Sequence, residues 1–140
     1  NTSAICNSFK QELLVGTHDF TATTGDTFKL ALFTSSATLG AGTTAFGTGN
    51  EVTGTGYTSG GATLTSVTPT LDSSTAVCDF ADVSFTSASF TANACLIYNS
   101  DKSNKAVAAV AFGGDKAVSS GTFTIQFPDA SASAAIIRLA

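Results

Sequence analysis

From Ser89 to Tyr98 every second residue is apolar: Phe90, Ala92, Ala94, Leu96 and Tyr98. A side-chain period of two belongs to a β-strand with one buried face. The polar run Asn99–Asn104 supplies a turn. Ala106, Ala108, Val110 and Phe112 then repeat the alternation on a returning strand, which Gly113–Gly114–Asp115 is expected to end. The same rule recurs elsewhere. Phe28, Leu30 and Leu32 alternate after a Gly25–Asp26 turn, and Ala62–Thr68 alternates slightly out of phase. Thr75–Phe80 and Asp82–Phe85 read as two short strands, or as one strand bulged at Ala81. Thr122–Phe127 is closed by Pro128, and Ala134–Leu139 is a last strand. Many short strands with turn signals between them predict an all-β fold, an antiparallel β-sandwich or jelly roll. Its expected core is Phe28, Leu30, Leu32, Phe90, Leu96, Val110, Phe112, Phe123, Ile125 and Phe127.

Composition supports one folded domain. Leu, Ile, Val and Phe fill 33 of 140 positions, enough for a core, although Thr, Ser, Gly and Ala fill 75. The large core members are mostly the 11 Phe, because Trp and Met are absent. No apolar run approaches the ~18 residues of a membrane-spanning helix. The net charge of −4, with 6 scattered basic residues, gives no electrostatic footprint for nucleic acid. Asn1–Asn7 lacks the charged and apolar regions of a signal peptide; the missing initial Met reads as processing, an already-cleaved signal included, or as a start outside these residues.

The start of the chain differs from the rest. Ser8–Val15 is the best helix candidate, with Ser8 and Gln11 placed as a capping box and Gly16 as a stop. Phe9, Leu13 and Leu14 are expected to share one face. A helix of about two turns is unstable alone and must dock on something. Residues 1–16 therefore read as an N-terminal arm, and 17–140 as the sandwich domain.

Leu39–Gly61 holds eight glycines and no convincing strand. Such loops in compact domains are usually functional. Phe46, Val52 and Tyr57 are its only large apolar groups, and Glu51 stands alone as a large polar one. The loop is expected to be mobile until a partner orders it. The candidate partner-contact residues are accordingly Phe9, Leu13, Leu14, Phe46, Glu51, Val52 and Tyr57.

The stock of catalytic groups is poor. His18–Asp19 is the only pair resembling an acid–base unit. Neighbours in an extended chain point to opposite faces, so Asp19 cannot orient His18, and the pair reads as a polar turn. Asp79 and Asp82 are too few for a calcium loop and read as a turn between strands. Asn99, Asp101 and Asn104 are explained by turn chemistry. Gly54–Gly61 lacks the Gly-Lys-Ser/Thr ending of a phosphate loop, so its glycines are read as allowing tight bends and close backbone approach. Cys6, Cys78 and Cys95 have no metal-type spacing. They read as buried small hydrophobes; a Cys78–Cys95 bridge is the alternative. No enzyme activity, cofactor or metal is expected.

Several stretches together resemble a family of small virion proteins of tailed bacteriophages. These are Asn7–Leu14 with Gly16–Phe20, Thr27–Leu39, the block Asn50–Gly61, Leu96–Ser100 and Ile136–Leu139. The resemblance spans nearly the whole chain. It implies a structural component of the particle, first a capsid decoration (cement) protein on the outer surface of the major capsid protein shell. The alternative is a tail- or fibre-associated adhesion module contacting the host surface. The expected partners are the major capsid protein and further copies of the chain, as a dimer or trimer, with no nucleic acid and no membrane. The expected location is the capsid surface, after synthesis in the host cytoplasm. The family has no catalytic motif to carry over.

Overall fold

The computed structural model describes residues 1–140. The chain is all-β: strands take 48% of it, in two antiparallel sheets with one short helix. In chain order the elements are β1 (Ala4–Ile5), α1 (Asn7–Leu14), β2 (Phe28–Phe33), β3 (Ala62–Thr63), β4 (Ser66–Asp72), β5 (Thr75–Phe80), β6 (Val83–Asn99), β7 (Lys105–Ile125) and β8 (Ile137–Leu139). The larger sheet has the order β1-β7-β6-β2-β3, and the smaller β4-β5-β8.

The β6–β7 hairpin is the spine. Directly paired residues share a face, so Leu32, Cys95 and Val110 form one row and Leu30, Ile97 and Ala108 the next. That face meets the smaller sheet through Phe28, whose ring stacks on Phe20 at 4.3 Å and lies 5.9 Å from Phe80 of β5. The opposite face carries Phe33, Leu96 and Tyr98. Phe46 covers it, stacking on Tyr98 at 4.4 Å. Both faces are thus covered, and every residue from Ala94 to Asn99 is buried. The alternation seen in the sequence marks one face in β2, through Phe28, Leu30 and Leu32, and the other in β6, through Leu96 and Tyr98.

Three boundaries and half of the expected core differ from the sequence reading. Gly113 and Gly114 do not end β7; they sit in a wide bulge, at φ 78° and 148°, between the pairs Ala94–Ala111 and Ala92–Lys116. Ala62–Thr68 is not one strand. Leu64 and Thr65 carry the chain from the larger sheet into the smaller, splitting it into β3 and β4. The last strand shrinks to β8. Of the expected core, Phe28, Leu30, Leu32, Phe90 and Leu96 are buried, whereas Val110, Phe112, Phe123, Ile125 and Phe127 are only half-buried. These five lie where the second layer thins.

Residues 1–16 are not a separate arm. β1 forms the edge of the larger sheet, and Cys6 and Phe9 belong to the single core cluster. The capping box does not form either. Helix α1 begins at Asn7 after Cys6, with no side-chain cap, and the Ser8 hydroxyl is buried without a hydrogen-bond partner. The stop is as expected. Gly16 at φ 76° lets its own N–H reach the Leu13 carbonyl (3.2 Å), and the Thr17 N–H reach that of Glu12 (3.0 Å). Leu14 does not share the buried face: it is 89% exposed. At about 100° per residue, Leu13 lies roughly 40° from Phe9 but Leu14 roughly 140°. Glu12 takes the inward position instead and is buried.

Candidate functional site

The sole histidine lies inside the protein. The His18 ring packs at 5.0 Å from that of Phe9, and 6.4 and 6.3 Å from those of Phe20 and Phe28. Nε2 is 2.9 Å from Glu12 Oε2, and Nδ1 is 3.0 Å from Asn99 Nδ2. Asn99 also donates to Asp26 Oδ2 at 2.8 Å. His18 is therefore not part of a surface turn, and its carboxylate partner comes from α1 rather than from Asp19. The Asp19 carboxylate accepts from the Thr21 N–H at 3.0 Å. Hydrogen bonding to Thr21 holds it below the usual aspartate range. Both imidazole nitrogens are bonded to side chains of other segments, so this arrangement fastens α1 and residues 17–27 to the end of β6.

The long loop is fastened by a second polar cluster. Glu51 Oε1 accepts from the Tyr57 hydroxyl at 2.7 Å and the Gly60 N–H at 2.6 Å; Oε2 accepts from Ser59 Oγ at 2.8 Å. The Tyr57 oxygen accepts from the Leu32 N–H at 2.9 Å, tying the loop to β2. Tyr98 adds a bond to the Gly60 carbonyl at 2.6 Å. Burial, reinforced by the Glu51 hydrogen bond, pushes the Tyr57 phenol far above its ordinary range. Burial and then the Glu51 charge raise that of Tyr98. Gly61, at φ 77°, passes so close to β2 that a Cβ there would lie 1.9 Å from the Leu30 carbonyl oxygen. That is the close backbone approach expected of these glycines.

The loop expectation is corrected accordingly. Glu51 and Val52 are buried within the chain, Phe46 stacks on Tyr98, and Tyr57 is half-buried under Glu51 and β2. Phe9 is also buried. Of the seven expected contact residues, only Leu13, half-buried, and Leu14, exposed, lie at the helix end beside open surface. Asp79 and Asp82 are spent on backbone, accepting from the N–H groups of Phe80 and Phe127 at 2.8 Å each. The three cysteines are free, and the Cys78–Cys95 bridge is not formed. Burial raises the thiols of Cys78 to about 11 and Cys95 to about 12. Burial and then the Glu12 charge raise that of Cys6.

The surface that sequence reasoning missed lies beside α1. An apolar groove of about 450 Å³ separates the helix end from the smaller sheet, lined by Phe9, Leu13, Phe20, Cys78, Ile137 and Leu139 among others. Leu71, Ala76 and Leu139 form one cross-strand row on that sheet. Leu71 is 72% exposed and Leu139 57%; Val15, following Leu14 at the helix end, is 67% exposed. A second apolar trough, of about 380 Å³, runs between Val110, Phe112, Ile125, Phe127 and Ile136. It explains why those expected core residues are only half-covered. Ile136 and Ile137 face different clefts, so β8 stands between the two. No family model, curated protein or solved structure matches the chain.

Proposed function

We propose that this protein is a structural component of a tailed-phage particle, a decoration protein that binds the outside of the major capsid protein shell and stabilises it. The proposal starts from the sequence resemblance. The observation that carries it further is the apolar groove lined by Leu139, with the exposed Leu14, Val15 and Leu71 adjoining its lining residues Leu13, Gly16 and Ala76 through the chain or the sheet pairing. Large apolar side chains exposed together at a groove mark an interaction surface. Full burial of each is worth roughly 1.5–3 kcal/mol, against an ordering and association cost of about 4–15 kcal/mol. One copy therefore binds modestly, and the effect on the particle comes from repetition. Each bound copy stabilises only the state it binds, the assembled shell. The polar clusters at His18 and Glu51 keep the presenting scaffold rigid.

The adhesion alternative would use exposed aromatics over a sugar. Both tyrosine hydroxyls are already spent within the chain, on Glu51 and Gly60. The test is to compare particles with and without the protein. Particles lacking it should assemble but rupture at lower temperature, and Leu14→Asp with Leu139→Asp should abolish its attachment. Particles that are equally robust yet fail to adsorb to cells would replace this reading by the adhesion module.

A further inference from the structure

We infer that the chain of hydrogen bonds Glu12–His18–Asn99–Asp26 is a proton-operated latch, which ties α1 and the turn that follows it, through His18, to the end of β6 and opens when His18 takes a second ring proton. This inference is independent of the capsid reading.

Asn99 sets the direction of every bond. Its Oδ1 accepts from the Asp101 N–H at 3.1 Å, so the other side of the amide is the NH2 group. The two hydrogens go to Asp26 Oδ2 at 2.8 Å and His18 Nδ1 at 3.0 Å. His18 Nδ1 is thus an acceptor. The ring proton sits on Nε2 and is donated to Glu12 Oε2 at 2.9 Å. A proton added at Nδ1 would set N–H against NH2, donor against donor. Flipping the amide gives no escape: the NH2 would then meet the Asp101 N–H, and the amide oxygen would face Asp26 Oδ2, acceptor against acceptor. Water has little access, since the His18 side chain and Asn99 are both fully buried. A buried donor without an acceptor is strongly disfavoured.

The surrounding charges place the break. Glu12 of α1 accepts from Nε2 whether or not Nδ1 carries a proton, so the helix and His18 stay together. Asp26 reaches the ring only through Asn99. Lys102 lies 3.8 Å from the other Asp26 oxygen, and Asp101 accepts from the Thr27 N–H. Asp19 caps Thr21, Cys6 precedes α1, and Cys78 of β5 lines the groove next to His18. Arg138 of β8 is turned onto the Ala132 carbonyl. The link that fails is therefore His18–Asn99, between the helix-bearing segment and the sheet.

His18 is the only histidine, so its two ring nitrogens give unique 15N signals. The experiment follows those signals, together with amide exchange corrected for intrinsic rate, from pH 8 to pH 4 on the 15N-labelled full chain. At pH 8 the ring should carry its proton on Nε2. As Nδ1 becomes protonated, exchange in α1 and residues 15–18 should accelerate about tenfold or more, the scale of one lost buried hydrogen bond, while residues 19–27 keep their own bonds to the end of β6. His18→Gln, which can donate to Glu12 and accept from Asn99 but cannot titrate, should show no such step. Three results would each overturn the latch: a neutral ring protonated on Nδ1, full α1 protection with both nitrogens protonated, or the same acid step in His18→Gln. Should that variant not fold, the wild-type titration decides alone.

Discussion

Replacing Glu51 by alanine tests whether the glycine-rich loop is held by its own domain. The carboxylate accepts hydrogen bonds at 2.7, 2.8 and 2.6 Å. Ser59 is exposed, and its hydroxyl can turn to water at little cost. The Tyr57 hydroxyl and the Gly60 N–H are less exposed and would lose a charged acceptor. Two charge-assisted bonds at about 1.5–3 kcal/mol each, offset in part by relief of Glu51's own desolvation, give a net loss of about 3 kcal/mol. The assay is urea unfolding read by circular dichroism, paired with amide exchange across residues 54–61. The midpoint should fall without a change in slope, and exchange in the loop should rise more than in β6. Tyr57→Phe should reproduce part of the loss, because it also strips the acceptor from the Leu32 N–H. A Glu51→Ala protein with an unchanged midpoint and unchanged loop exchange would refute the anchoring.

Gly61→Ala should destabilise by more than about 2 kcal/mol, through both the clash with β2 and the positive φ, while Gly42→Ala, where a Cβ meets nothing within 4 Å, should be neutral or slightly stabilising; urea midpoints check both. Deleting residues 1–16 should unfold the domain, because Cys6 and Phe9 leave the core; a cooperative thermal transition in the truncated chain would contradict this. The thiols of half-buried Cys78 and buried Cys95 have raised values in the folded state, about 11 and about 12, against 9.0 as the ordinary value. Folded protein therefore keeps protons that unfolded chain releases, and stability should fall as the pH rises above about 9. Urea midpoints from pH 8 to 11 in reductant would show this decline, and the Cys78→Ala, Cys95→Ala double variant should lose most of it. Leu14→Asp should leave the midpoint within about 0.5 kcal/mol of wild type, as an exposed position should.

The sheets were legible because period-two alternation survives in Phe28–Leu32, Thr75–Phe80 and Ser89–Tyr98. Burial of the second face was not. In β6 that face carries Cys95 and Ile97 and meets the smaller sheet through Phe28, while Phe46 and the long loop cover the Leu96–Tyr98 face that the alternation marks. Counting apolar groups also failed for that loop, because a buried carboxylate and two tyrosine hydroxyls anchor it. Glu51 and Tyr57 stood out in the sequence as solitary large groups among glycines. That signal was sound, but the groups they bind belong to the same chain. His18 was hidden for a similar reason: its partner Asn99 is 81 residues away, and Glu12 lies on the buried side of a helix read by its leucines. The groove was visible only in part, since sheet pairing alone sets Leu71 and Leu139 beside Ala76, and Ala76 and Leu139 line it together with Leu13 of the helix.

The measurement that bears most directly on the proposed function is a reconstruction of the intact particle at a resolution that places this chain. The account predicts hundreds of copies on the outer capsid surface, with Leu14, Val15, Leu71 and Leu139 against the major capsid protein or a sister copy. Copies confined to the tail, or a capsid-bound chain with those four side chains facing solvent, would contradict it.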